Sequence, residues 1–234
     1  MPKLSIVIPV FNEEAILDSA VRTLLQKLEA RHHDFELILA ENGSTDATAN
    51  ISAALAAELP RLKVLHTGRP NYGKALRAGI DSAAGDVVVC DEIDLGDIDF
   101  YERALEVLAA GADLVVGSKR HHESMDDRPW LRRRGTAVIN TLLRLSLGFT
   151  GTDTHGLKAF KRARLLPVVA ACQVEHNLFA SELVIRAARM GLDVREIPLR
   201  LHEIRPPSVG LMRRVPHVLV DLARLVYVIR IKGA

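Results

Sequence analysis

The chain is short of several things, and each shortage removes a class of protein. Of its 234 residues only two are cysteines, Cys90 and Cys172. They lie far apart, and no Cys/His spacing matches a zinc site, so neither a disulfide framework nor a zinc module is expected. A reducing compartment follows as the default. Aromatic residues make up 4%, too few for a platform on which nucleic-acid bases stack. There is no excess of one charge: 31 Lys and Arg stand against 29 Asp and Glu, a net charge of +2. A dedicated nucleic-acid binder carries a basic excess, so no nucleic-acid partner is expected. No apolar run reaches the length of about 18 residues that spans a bilayer. The opening Met1-Pro2-Lys3-Leu4-Ser5-Ile6 enters a strand-like run without the pattern of a signal peptide. The expected location is cytoplasmic, with peripheral attachment to the inner face of the membrane as the alternative.

What is present fits one α/β domain. Hydrophobic residues make up 48% and charged residues 26%, an ordinary globular balance for a chain of single-domain length. The apolar runs Leu4–Val10, Phe35–Ala40, Leu62–Leu65, Asp86–Cys90 and Asp113–Val116 read as strands. Helical spacing occupies Ile16–Leu28, the stretch from Asp46 to about Leu59, Lys74–Ala83 and Phe100–Leu108. Strands apolar throughout and alternating with helices mean βαβ units and a mostly parallel sheet flanked by helices. Cys90 closes the fourth run and reads as core. After Gly117 the chain turns polar and less regular. A helix is predicted over Trp130–Leu147, a strand over Asp153–Phe160, a helix over Phe179–Met190 and a strand over Val194–Leu201. Pro206-Pro207-Ser208 reads as a loop, and a last helix as about Val215–Ile231. That helix is expected to pack on the sheet. The alternative is attachment to anionic lipid through Arg213, Arg214, Arg230 and Lys232. Residues 1–117 thus read as a nucleotide-binding half and 118–234 as an acceptor half of one domain.

In an open parallel sheet, ligands bind beyond the carboxyl ends of the strands. The residues that follow the strands are Phe11-Asn12-Glu13-Glu14, Glu41-Asn42-Gly43-Ser44, Asp91-Glu92-Ile93-Asp94 and Ser118-Lys119-Arg120. Three of these edges are acidic and one is basic. Acids after strands often only cap helices, the ordinary reading for Ser44 and Asp46. Asp91, Glu92 and Asp94 repel one another unless a cation joins them. Carboxylates suit Mg²⁺ or Mn²⁺, one or two from protein and the rest of the shell from a diphosphate. Gly68-Arg69-Pro70-Asn71-Tyr72-Gly73-Lys74-Ala75 nearly matches a phosphate-binding P-loop. Ala75, however, stands where a Mg²⁺-binding Ser or Thr belongs, and Pro70 removes an amide donor. No Gly-x-Gly-x-x-Gly follows the first strand. Arg132-Arg133-Arg134 reads either as a solvated helix face or as an anion site, and both stay open. His121, His122 and His155 read as surface or loop residues, and Trp130 as an anchor for its helix.

Taken in order, Ser5-Ile6-Val7-Ile8-Pro9-Val10-Phe11-Asn12-Glu13-Glu14, Glu41-Asn42-Gly43-Ser44-Thr45-Asp46, Asn71-Tyr72-Gly73-Lys74-Ala75-Leu76-Arg77-Ala78-Gly79 and Glu92-Ile93-Asp94 resemble the family 2 inverting glycosyltransferases. The likeness continues through Gly117-Ser118-Lys119, Asp153 to Phe160, Phe179 to Leu183 and Glu196-Ile197-Pro198, and is nearest the dolichol-phosphate mannose or glucose synthase branch. It implies the glycosyltransferase-A fold, a Rossmann-like single domain. It implies that Pro9, Phe11 and Glu13 hold the nucleoside of a UDP or GDP sugar, with Glu41, Asn42, Ser44, Lys74 and Asp91 also on the nucleotide side. Glu92 and Asp94 fall where the family has its metal-binding Asp-x-Asp, with Mg²⁺ or Mn²⁺ as cofactor. Lys119, Arg132 and Thr136 fall where such enzymes bind a polyprenyl phosphate, so Asp94, Lys119 and Arg132 become the catalytic set. The chain departs from the family at Glu41-Asn42, where two aspartates are usual, at Glu92, and at Ala180, where an aspartate is usual. Two rivals follow. One is transfer to a soluble hydroxyl acceptor, with Glu182 or Asp153 as base. The other is a non-catalytic nucleotide-sugar-binding protein with degenerate acidic motifs.

Overall fold

The structure is a computed structural model that describes residues 3–118, 125–126, 130–201 and 211–231. Its first half alternates strand and helix: β1 (Leu4–Val10), α1 (Leu17–Ala30), β2 (Phe35–Glu41), α2 (Thr48–Glu58), β3 (Leu62–His66), α3 (Tyr72–Ser82), β4 (Val87–Cys90), α4 (Ile98–Ala109) and β5 (Leu114–Ser118). The second half continues with β6 (Met125–Asp126), α5 (Trp130–Leu147), β7 (Lys158–Lys161), α6 (Arg162–Ala171), a 3-10 turn at His176–Leu178, α7 (Phe179–Arg189), β8 (Val194–Pro198), β9 (Arg200–Leu201) and α8 (Leu211–Arg230). The main sheet runs β3-β2-β1-β4-β7-β5-β8. Only β7 is antiparallel to its neighbours, which makes this the mostly parallel sheet that continuous apolar runs predict.

Both faces of the sheet are covered. Along β1, Leu4, Ile6, Ile8 and Val10 enter one core cluster and Val7 the other, as the two-residue period requires. α1 buries Leu17, Val21, Leu24, Leu25 and Leu28 against the first, a single stripe at helical spacing. α3, α6 and α7 contribute to the second.

Three expectations are corrected. The predicted strand over Asp153–Phe160 is a strand only at Lys158–Lys161. Asp153 and Thr154 spend their side chains on the His155 amide and the Ser181 hydroxyl, and a Cβ on Gly156 would lie 1.6 Å from the Gly117 carbonyl. α6 was not foreseen; Pro167 sits inside it, where proline ordinarily argues against a helix. α8 begins earlier than predicted, and it also packs against α5 and the 3-10 turn while its inner residues Leu222, Leu225 and Ile229 join the core cluster on that face of the sheet.

Glu36, on β2 in the middle of an apolar run, shows how a buried charge is kept. Its carboxylate accepts from the Ser5 hydroxyl at 2.6 Å, the Ala84 amide at 2.7 Å and the Lys63 ammonium at 2.5 Å. Burial pushes its pKa up, but these bonds outweigh burial and hold it below the ordinary value. A lowered carboxylate pKa gives stability that is complete above the unfolded value and lost as pH falls through the folded one. Glu36→Gln should cost about 1–3 kcal/mol near neutral pH; Lys63 is exposed and adds little. Urea midpoints of wild type and variant should converge as the solution is acidified, and a pH-independent gap would contradict this.

Candidate active site

The strand order places β1 beside β4, although β2 and β3 come between them in sequence. That is the switch point at which an open sheet parts and admits a ligand. The register shows the opening. β4 ends where Cys90 pairs with Val7, while β1 continues to Val10 along β2. Val7 offers its carbonyl to the β4 side, at Asp91, so Pro9, two residues on, faces the same side. Its missing N–H falls where β4 has already stopped, the position at which a strand tolerates proline. Pro9, Phe11 and Glu13 are half-buried along this opening.

The loops after β1 and β2 are laced together. Asn12, with a positive φ of 56°, accepts the Thr45 amide at 2.8 Å and donates its own amide to the Ser44 hydroxyl at 3.1 Å. The Glu13 amide donates to the Thr48 hydroxyl at 2.7 Å. Glu41 is buried and turned back on its own turn, accepting the Ser44 amide at 2.6 Å, with His66 Nδ1 at 3.2 Å. Burial raises its pKa, and the bonds from Ser44, His66 and the Gly43 amide lower it further than burial raises it. Asn42 accepts the Asn71 amide at 2.6 Å. The Glu41-Asn42 pair therefore ties its own turn, β3 and the loop before α3 together.

The P-loop likeness resolves into packing. Gly43, with φ +71°, would place a Cβ 2.4 Å from the Gly68 carbonyl. A Cβ on Gly73 would sit 2.6 Å from both the His176 carbonyl and the Phe179 Cβ. Asn71 caps α3 by accepting the Lys74 amide at 3.0 Å, and also accepts the His176 amide at 2.9 Å and donates to Glu175 at 2.9 Å. Gly43 lets the turn after β2 touch this loop at Gly68, and Gly73 lets the start of α3 touch the 3-10 turn. Lys74 itself is exposed.

After β4 the three carboxylates part company. Asp91 is buried, accepts the Tyr101 hydroxyl and takes the Glu92 amide at 2.7 Å. Burial pushes its pKa up to about 7 against the pull of these two bonds. Ile93 is buried in the core, and Glu92 and Asp94 on either side of it are half-exposed in a turn closed by the Leu95 amide on the Glu92 carbonyl at 3.0 Å. Two hard-oxygen donors on one turn fit Mg²⁺ or Mn²⁺. Among the described residues no group of three His, Cys, Asp or Glu side chains is gathered as a cage, so a diphosphate would have to complete the shell.

On the far side of β4, Ser118 at the end of β5 meets the Thr152 hydroxyl at 2.5 Å. Thr152 is held in turn by Glu196 of β8, through its amide at 2.7 Å and its hydroxyl. This network sits directly before Lys119. Lys119, His121 and His122 lie outside the described residues, as do the side chains of Arg132 and Thr136 and the Pro206-Pro207-Ser208 loop. Asp153 and Glu182 are fully buried. Glu182 accepts the amides of Gln173 and Val174 and pairs with Arg186 at 2.7 Å. Sequence reading missed Asn71 as the tie between two loops. Its signal was present: an asparagine three residues before Lys74 at a helix start is an N-cap.

An open, mostly parallel sheet with acidic loops gathered at its carboxyl edge defines the glycosyltransferase-A architecture. The chain belongs to glycosyl transferase family 2, whose model matches residues 5–167, and it carries the glycosyltransferase domain of that family. It is 40% identical over 129 residues to a bactoprenol glucosyl transferase of Shigella phage SfV, covering 54% of this chain and 41% of that protein. It is 30% identical over 237 residues to an undecaprenyl-phosphate 4-deoxy-4-formamido-L-arabinose transferase of Pseudomonas fluorescens, covering 94% and 68%. The chain spans 35–42% of the length of several curated relatives that it matches. Glucosyl-3-phosphoglycerate synthase of Mycobacterium tuberculosis, crystallised with Mn²⁺, UDP and phosphoglyceric acid, shares the fold with a TM-score of 0.68 at 21% identity, covering 97% of this chain and 77% of that one.

Proposed function

We propose that this domain transfers a sugar from a nucleoside-diphosphate donor to a polyprenyl phosphate, with inversion at the anomeric carbon. The observation that carries the reading is the position of the Glu92–Asp94 turn at the opening between β1 and β4, opposite Pro9, Phe11 and Glu13. Glu92 and Asp94 would hold Mg²⁺ or Mn²⁺, which supplies Lewis-acid neutralisation of the departing diphosphate. The Mn²⁺ and UDP of the fold-related synthase agree with that assignment. Residues 1–117 form the donor half. Asp91, turned inward, supports the Glu92 turn from beneath, and Glu41, Asn42 and Ser44 set the floor. Lys119, Arg132 and Thr136 of the acceptor half take the acceptor phosphate by charge-assisted hydrogen bonds.

An acceptor-phosphate oxygen attacks the anomeric carbon as the bond to the diphosphate breaks. With a second pKa of about 6, the phosphate is already an anion and needs no protein base. That favours a phosphate over a soluble hydroxyl acceptor, because the two carboxylates considered as bases, Asp153 and Glu182, are both fully buried. The names of the bactoprenol and undecaprenyl-phosphate relatives point the same way. No helix among the described residues is long and apolar enough to cross a membrane, and contact at the membrane surface suits a lipid acceptor.

The test is incubation with UDP- and GDP-linked radiolabelled sugars, Mn²⁺, and either undecaprenyl phosphate or a water-soluble alcohol. Label should enter the organic phase as a sugar phosphodiester of inverted configuration. Label on the soluble alcohol would overturn the acceptor assignment, and donor binding without transfer to either would favour a non-catalytic binding protein.

A further inference from the structure

Thr152 is gripped from two sides. On one side stands Glu196 of β8, which lies beside Val116 of β5 in the parallel register. Its carboxylate accepts the Thr152 amide at 2.7 Å, the Thr152 hydroxyl, and the Asp153 amide at 3.4 Å. On the other side stands Asn140 of α5, whose Nδ2 donates to the Thr152 carbonyl at 2.6 Å. One helical turn further along α5, Arg144 donates to the Gly151 carbonyl at 3.2 Å. There is no room for a side chain at Gly151, where a Cβ would lie 2.3 Å from Glu196 Oε1 and 2.5 Å from the Phe149 ring. Thr152 thus joins β8, α5 and, through Ser118, the end of β5.

Glu196 sets the direction of the hydroxyl bonds. A carboxylate only accepts, so the Thr152 hydroxyl donates to it. That proton is then committed, and across the 2.5 Å contact Ser118 has to be the donor to Thr152. Asn140 is equally constrained. The reverse orientation of its amide would set two oxygens against each other, so Nδ2 is the atom on the Thr152 carbonyl. Asn140 is 4% exposed, and its Oδ1 is buried with no hydrogen-bond partner. An orphaned buried acceptor lowers stability, so a bond kept in spite of it argues for position.

The ties meet where two chain segments have to be held together. Lys119 follows Ser118 directly, and Thr136 and Arg132 precede Asn140 by one turn and two turns of α5. These are the residues to which the acceptor phosphate is assigned above. A grip on one phosphate from two segments needs them at a fixed separation.

We infer that Glu196, Thr152 and Asn140 form a clasp that fixes the end of β5 against α5, and that they are positioning residues for the acceptor phosphate. They act through Lys119, Arg132 and Thr136 and not on the acceptor itself. This role rests on the phosphate acceptor proposed above.

Thr152→Val keeps the shape and the amide bond but removes the hydroxyl from the clasp, whereas Thr152→Ser keeps the hydroxyl. In sugar transfer to undecaprenyl phosphate, Thr152→Val should raise the acceptor KM about tenfold and leave the donor KM within about twofold of wild type. Thr152→Ser should bring the acceptor KM back. Glu196→Gln, which can no longer accept with both atoms, should move the same KM in the same direction as Thr152→Val. A calorimetric titration with farnesyl phosphate needs no donor, and there Thr152→Val should bind about tenfold more weakly than wild type. Weakened binding in that variant, with no transfer by wild type, would keep the clasp and remove the proposed reaction. Transfer with an unchanged acceptor KM in Thr152→Val and Glu196→Gln would keep the reaction and remove the clasp. Both KM values rising together, or no binding of farnesyl phosphate by wild type, would also overturn the clasp.

Discussion

Asp94→Ala should reduce sugar transfer by about a hundredfold or more, and Glu92→Ala by a similar factor, since Lewis-acid neutralisation of a leaving diphosphate contributes several kcal/mol. The same variants should lose the manganese-dependent part of nucleotide binding and keep the manganese-independent part. Both side chains are half-exposed on a turn anchored by buried Ile93, so truncation should leave the melting temperature within a few degrees of wild type. Glu92→Asp, which restores the family's shorter acid, should preserve metal-dependent binding. Isothermal titration with UDP and GDP checks the binding and labelled-sugar transfer checks the rate. Metal-dependent binding untouched in both alanine variants would sink the assignment of this turn.

The largest effect on stability should come from Glu182→Ala. Glu182 and Arg186 form a buried ion pair one helical turn apart on α7, and Glu182 also accepts two backbone amides from the segment that leaves α6. Removing one member of a buried pair costs about 3–5 kcal/mol, because the remaining charge has been taken out of water. For a domain of this size that is a fall of about 10 °C in melting temperature. Glu182→Gln keeps an acceptor for the amides and should lose about half as much. Thermal unfolding decides it: a shift of a degree or two for Glu182→Ala would mean that the pair is dispensable. The outcome also bears on the chemistry, since a side chain so engaged is poorly placed to act as a base.

The core of the fold was legible because a sheet covered on both faces needs continuous apolar runs, and β1, β2, β4 and β5 all lie in such runs. The edge on which the candidate site is sought was legible by position, since loops after parallel strands converge on one edge whatever their partners. What stayed hidden depends on contacts distant in sequence. Asn71 and Glu175 are 104 residues apart, and Glu36 reads as an intruder in an apolar strand until Ser5 and Ala84 come into place around it. The strand predicted from Asp153 starts only at Lys158, because the polar Asp153-Thr154-His155-Gly156 stretch is bound by its own side chains and by the tight approach of Gly156 to Gly117. The contact of α8 with α5 is likewise a tertiary choice, because an apolar stripe alone does not name the element beside it.

The central claim is that the β1–β4 opening binds a nucleoside diphosphate through a metal held by the Glu92–Asp94 turn. The most direct measurement is a calorimetric titration of the chain with UDP and with GDP, each with and without Mn²⁺. Binding of one nucleotide, strengthened by about tenfold or more when Mn²⁺ is present, is the predicted result. Binding of neither nucleotide, or binding indifferent to Mn²⁺, would contradict it.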